Sequence, residues 1–275
     1  MSNYYHGAKA SKQATSVSTP VVADSSIHLI VGTAPVHTVG GKVNEPVYAS
    51  NYAEAVAAMG YSDEWNKYDI CEEIYSSFKL YSNGPIVMVN VLDPTKHLKG
   101  EETVDKTLAG GITELPFEAV SGTVEVKGYD GEDSLTEKYT RGEDYDLFYT
   151  DGVLRLERIE SGKIKADNAK LNIKFNSVDP SKVTKKDIIG GYDTSTNKSS
   201  GFELVDSVYP KYGVIPTLFL APNFSTDSEV AAIMAAKAEN INGLFVGKAI
   251  IDADTTTVKT YSDVPKWKSD NNISQ

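Results

Sequence analysis

Four histidines, one cysteine and one acidic cluster are the residues whose types could do chemistry, and their spacing decides which chemistry is open to them. His6, His28, His37 and His97 show no metal-ligand spacing, and none has a cysteine or carboxylate partner at helical distance. His28 falls inside an apolar run and reads as core or cross-strand packing. Cys71 sits on the first turn of a helical pattern, where a thiolate could be stabilised. No base is indicated near it, so a buried structural thiol is expected. The cluster Glu143-Asp144-Tyr145-Asp146, with Asp151-Gly152 beyond, invites a calcium test. An EF-hand loop starting at Asp144 would need glycine at Tyr149 and glutamate at Arg155, so the spacing fails. Paired carboxylates could do general acid–base work, but a solvated hairpin rim is the simpler reading. A phosphate loop ending at Gly41-Lys42 would need glycine at Val36 and a hydroxyl at Val43. No Gly-x-Ser-x-Gly elbow occurs. The expectation is a chain without catalytic residues, metal site or cofactor.

The elements that would have to position such residues are legible in the hydrophobic pattern. Ile27 to Gly32 reads as a buried strand broken by Thr33-Ala34-Pro35. Ser50 or Asn51 can cap a helix running to about Met59, ended by Gly60. Ile70, Ile74 and Phe78 recur every four residues and predict one amphipathic helix over 70–81. Ile86 to Val91 is a second strand of central type, so a parallel α/β sheet is expected. Between about Lys99 and Gly201 no helical period survives. Short stretches at 123–126, 146–149, 153–156 and 170–175 mostly alternate apolar with polar, with Asp130-Gly131, Asp151-Gly152 and Ser161-Gly162 as turns. This predicts an all-β module, sandwich- or barrel-like. Thr217 to Ala221 is again a buried strand, followed by a helix from Ser228 to about Asn240 and a strand from Leu244 to Asp252. The predicted fold is α/β, a mostly parallel or mixed sheet with helices interrupted by an all-β insertion. The boundaries are 1–23 for an extended arm, 24–98 and 201–275 for the two α/β halves, and 99–200 for the insertion.

Composition narrows the function classes. The chain has 275 residues and a formal net charge of −11, which argues against a general nucleic-acid binder, since that needs a cationic face. No apolar run approaches the length of a membrane span, and the start lacks the apolar core of a signal peptide. One cysteine excludes an intrachain disulfide. The first acidic residue is Asp24, so the leading 23 residues carry Lys9 and Lys12 against no carboxylate. On the residues alone this segment is either a floppy terminus, the simpler reading, or an arm that becomes ordered on another subunit.

Several stretches together resemble the tail sheath protein family of contractile phage tails and phage-tail-like particles. They are Tyr4-Tyr5-His6-Gly7, Pro20-Val21-Val22 leading into Ile27 to Pro35, and Gly84-Pro85-Ile86-Val87-Met88-Val89-Asn90-Val91. The most specific is Tyr212-Gly213-Val214-Ile215-Pro216-Thr217-Leu218-Phe219-Leu220-Ala221-Pro222-Asn223-Phe224-Ser225, similar to the family's strand-to-helix signature. Asn223 stands where glycine is common, and asparagine also tolerates the left-handed region. Arg141-Gly142-Glu143-Asp144-Tyr145 resembles a hairpin of phage structural β domains. Gly32, Pro35, Gly213, Pro216, Ala221 and Pro222 are the motif residues to which a structural role is carried over.

The resemblance implies a structural, non-enzymatic subunit that polymerises as a helical sheath around an inner tube. Contraction of that sheath drives the tube through a cell envelope. It implies that the arm, Thr15, Ser16, Val17, Ser18, Thr19, Pro20, Val21 and Val22, adds a strand to a neighbouring copy. The implied partners are other copies, the tail tube protein, and baseplate and tail terminator proteins, with no nucleic acid and no membrane insertion. The implied location is the tail of a virion or particle assembled in the bacterial host cytoplasm. The chain looks short for the family, so a portion lacking the C-terminal, tube-facing part is expected, and alone a soluble monomer. The alternative is a glycan- or host-binding module carried by the β insertion, motivated by Tyr129, Tyr139, Tyr145 and Tyr149.

Overall fold

The computed structural model describes residues 27–130, 134–271 and 273; the expected arm, with Thr15 to Val22, lies outside them. A strand covered on both faces must be apolar at nearly every position. Two such runs, β1 (His28–Gly32) and the fully buried strand at Ile86–Asn90, form the centre of the molecule. Between them come β2 (Val47–Ala49), α1 (Tyr52–Met59) and α2 (Asp69–Tyr75), which makes the second central strand β3. β1 and β3 are parallel, in register from His28 opposite Ile86 to Gly32 opposite Asn90, and β2 runs antiparallel outside β3. The Asn51 side chain caps α1 by accepting from the Glu54 amide, and Gly60 ends it. The helix expected over 70–81 is only α-helical to Tyr75 and continues as a π turn over Ser76–Leu80. A strict four-residue spacing drifts off one face of a 3.6-residue helix, and a wider turn keeps Phe78 in line with Ile74.

From β3 the chain enters seven antiparallel strands: β4 (Leu98–Thr107), β5 (Ile112–Pro116), β6 (Glu125–Asp130), β7 (Ser134–Lys138), β8 (Tyr145–Thr150), β9 (Val153–Arg158) and β10 (Lys170–Val178). They form two sheets, ordered β4-β10-β6-β7 and β5-β9-β8. Their inward residues, among them Val126, Tyr145, Leu154, Leu156, Ile173 and Phe175, make a core of their own. Asp151 and Gly152, with φ of 48° and 75°, join β8 to β9 as a two-residue hairpin. Both central φ values are positive, as a type I′ turn requires.

The chain then supplies α3 (Lys185–Ile189), β11 (Gly191–Asp193), β12 (Lys198–Ser200), α4 (Val205–Tyr212), β13 (Leu218–Leu220), α5 (Ser228–Glu239), β14 (Lys248–Ala249) and α6 (Val264–Asp270). β13 lies parallel on the free side of β1, and β14 parallel beyond it, giving the order β14-β13-β1-β3-β2. One face of this sheet buries Leu29, Val31, Val89 and Phe219 against α4 and α5; the other buries Ile30, Ile86 and Met88 against α1 and α2. The result is a helix–sheet–helix sandwich. Val183 and Ile188 pack in the core beneath α4 and α5. α3 lies in the stretch that carries no helical period. Its five residues are too few to show one, and it is set by a capping box between Thr184 and Asp187. The strand expected from Leu244 to Asp252 is corrected: only Lys248–Ala249 pairs with β13. Asn242 and Gly243, with φ of 54° and 71°, bend the preceding chain into a turn closed by Ile241 and Phe245.

Candidate assembly surface

The motif residues lie at both ends of the adjoining parallel strands β1 and β13: Gly32, Pro35, Ala221 and Pro222 at the carboxyl ends, Gly213 and Pro216 ahead of β13. At Gly32 a Cβ would overlap the Asp69 carboxylate, which tucks against the strand and accepts a 2.6 Å hydrogen bond from the Thr33 amide. Asn90, at the matching end of β3, accepts from the amides of Ala34 (2.9 Å) and Leu92 (3.1 Å) and donates to the Leu92 carbonyl. These two buried side chains satisfy backbone groups where the parallel ladder stops. The Pro35 carbonyl accepts from both the amide and hydroxyl of Thr38, starting the short turn Val36–Thr38. Gly213, φ 70°, ends α4. Pro216 is buried ahead of β13. Ala221 is buried, and its carbonyl accepts from the amides of Phe224 and Ser225 across Pro222 and Asn223. Asn223 has φ 66°, the conformation that its place in the motif calls for. Ser225 then exchanges two 2.9 Å hydrogen bonds with Asp252, one through its hydroxyl to the carboxylate and one from the Asp252 amide.

The lateral edge of the sheet at β14 is open among the described residues. The amides of Lys248 and Ile250 donate inward to Thr217 and Phe219, and no strand lies on the far side of β14 among the described residues. Leu244 and Val246, on the turn leading to β14, are 80% and 73% exposed, and Ile250 is 47% exposed. A groove of about 350 Å³ runs between α5 and β14, walled by Ala231, Ala235, Ala249 and Ile251. An edge strand with apolar neighbours is chemically suited to receive an extended segment through backbone hydrogen bonds. Spacing alone does not reveal this surface, because the same apolar residues read equally well as a buried strand.

The residues considered for chemistry are taken up by structure. His28 Nδ1 lies 2.6 Å from Glu73 Oε1, and the Ser77 hydroxyl donates to that same carboxylate. Because Ser77 is bonded to the carboxylate and not to the imidazole, the three do not form a nucleophile–base pair. Glu73 is 45 residues from His28, so no local spacing could have shown the contact. Cys71 is buried, and burial pushes its thiol up to about 12, which leaves it inert at neutral pH. The acidic cluster is not wholly a solvated rim. Asp144 is buried and accepts from the amides of Thr140 and Lys163, both at 2.8 Å, and these bonds hold its carboxyl below the usual range. Of the four tyrosines behind the glycan reading, Tyr145 is buried in the β core and Tyr139 packs against it. Tyr149 donates to the Ala119 carbonyl and accepts from the Ser121 amide. Tyr129 bonds Asp105 beneath the Lys170 ammonium. Ring faces committed in this way do not form an aromatic platform for a sugar.

Among the described residues no three His, Cys, Asp or Glu side chains are placed to hold a metal ion, and no helix is long and apolar enough to cross a membrane. No family model matches the chain. A curated protein does: the tail sheath protein of Burkholderia phage BcepMu is 27% identical over 257 residues, 93% of this chain. The resemblance to tail sheath proteins is thereby borne out over nearly all of the sequence. The chain spans about half the length of that relative, 50%.

Proposed function

We propose that this chain is a structural subunit of a contractile tail sheath, which polymerises around an inner tail tube and contracts to drive it through a target envelope. The observation that carries the reading is the likeness to a phage tail sheath protein over 93% of the chain. The open edge of β14, with Leu244, Val246 and Ile250 exposed beside it, is consistent with a subunit built to be joined by others. In this reading the molecule has the parts 24–98, 99–200 and 201–275 preceded by the arm 1–23. Thr15 to Val22 of one copy pair with a sheet of the next, while the tube, baseplate and tail terminator proteins contact the assembled sheath. Contraction is a rigid-body rearrangement of tethered subunits and consumes no nucleotide, so the subunit itself performs no chemistry.

One complementation experiment tests function and arm together. Loss of the gene should leave particles with naked inner tubes under the electron microscope. Restoring the intact gene should return striated cylinders, and a gene that keeps its start codon but lacks codons 2–22 should not. Sheathed tails in the deletion strain would overturn the sheath reading; sheathed tails with the shortened gene would overturn strand donation by the arm.

A further inference from the structure

The antiparallel segment and the parallel sheet keep separate cores, and aromatic rings meet at the seam between them. His37, on the turn after β1, reaches across it: Nε2 lies 3.0 Å from the Phe117 carbonyl, in the loop after β5. The His37 ring stands edge-on to those of Phe117 and Tyr149, both with centroids 5.7 Å away. Tyr68, at the start of α2, packs edge-on against Phe117 from the sheet side. At the rim Lys67 binds Glu118 at 2.8 Å and Glu64 at 2.9 Å. His37 is buried, and its other ring nitrogen, Nδ1, has no hydrogen-bond partner.

At the base of the segment His97 ties the two chain crossings together. Its Nδ1 accepts from the Asp93 amide at 2.9 Å, and its carbonyl accepts from the Asp179 amide at 2.8 Å. Above this point β4 and β10 are paired for nine positions. The base is therefore held by a long strand pair, and the seam at His37 by one histidine, its aromatic neighbours and the Lys67–Glu118 ion pair.

We propose that the β segment 98–178 is latched to the parallel sheet by neutral His37 and swings free of it in mild acid, with the β4–β10 base as pivot. The neutral ring can donate from Nε2 to Phe117 while leaving Nδ1 a bare lone pair. A second proton would put an N–H and a positive charge at Nδ1, where no acceptor stands. Burial accordingly holds the His37 pKa below its ordinary value, against the opposing pull of the Phe117 carbonyl and of Glu118. Glu118 is itself neutralised by Lys67, and the Tyr68 and Tyr149 hydroxyls on the facing elements carry no charge in this range. A depressed native pKa means that docking is supported above the free imidazole value and that this support is lost as pH falls below it. Opening the seam lets water solvate the imidazolium while both cores stay folded.

The full chain with cysteines at the exposed positions Ala57 and Ala166 can carry a spin-label pair, since Cys71 is buried and unreactive. The inter-label distance distribution should be single and narrow at about pH 8 and become broad and longer by about pH 5. His37→Gln keeps a donor for the Phe117 carbonyl but cannot be charged, so it should stay narrow at both, whereas His97→Gln should still open. An unchanged distribution in the parent, or the same opening in His37→Gln, would overturn the proposal. Should the glutamine variant fail to dock, an NMR titration of the parent decides: His37 must take up its proton at the midpoint of opening, and a ring still neutral after opening refutes the latch.

Discussion

Asp69 forms no ion pair among the described residues, and its carboxyl accepts from the Thr33 amide inside the sheet end. Burial pushes its pKa up to about 7, well above the ordinary carboxylate value of about 3.9. The folded protein therefore binds this proton more tightly than the unfolded chain does. Asp69's contribution is fully present below about pH 4 and is lost as pH rises through about 7, a swing of up to about 4 kcal/mol. In Asp69→Asn the pH dependence of denaturation midpoints between those limits should differ from the parent's by a slope of this sign. Superimposable curves would show that the carboxyl is not buried as described. None of this was legible beforehand, although Gly32 was singled out as a motif residue. The reason for glycine there, a carboxylate arriving from 37 residues away, is a tertiary contact without a local signature. The same holds for His28 and Glu73, whereas the inertness of Cys71 followed correctly from the absence of a neighbouring base.

At the scale of elements, runs apolar at every position were read correctly because burial on both faces leaves few alternatives, and β1, β3 and β13 fall where they were expected. β4 was missed because Leu98–Thr107 alternates little and exposes most of its residues; it is a strand because β10 offers it a partner. The Leu244–Asp252 stretch failed in the opposite way, since hydrophobicity there marks an exposed turn and an open edge. The junction from β13 into α5 is a tight turn through Asn223 at φ 66°, which asparagine and glycine adopt more readily than other residues. Asn223→Gly should be nearly neutral in thermal stability, whereas Asn223→Ala should cost about 1 kcal/mol. Equal midpoints for the two variants would mean that the turn relaxes and does not constrain the junction.

Over the whole molecule, two distant parts of the chain build one sheet, with β13 and β14 laid beside β1, and a separately cored pair of β sheets stands between them in sequence. The hydrophobic period of the sequence changes twice along the chain, because strands with one wet face alternate and doubly covered strands do not. Residues 1–23 carry Lys9 and Lys12 and no carboxylate, so the rest of the chain holds a formal charge of −13 against a total of −11, and the proposed docking of the arm on another copy is electrostatically favoured. Antibody decoration decides whether copies of this chain clad a tail shaft, as proposed above. Gold-labelled antibodies raised against residues 1–275 should mark tail-like particles along the full length of the shaft, in extended and contracted particles alike. Labelling confined to one end of the particle, or to free protein with bare shafts, would rule out a sheath subunit.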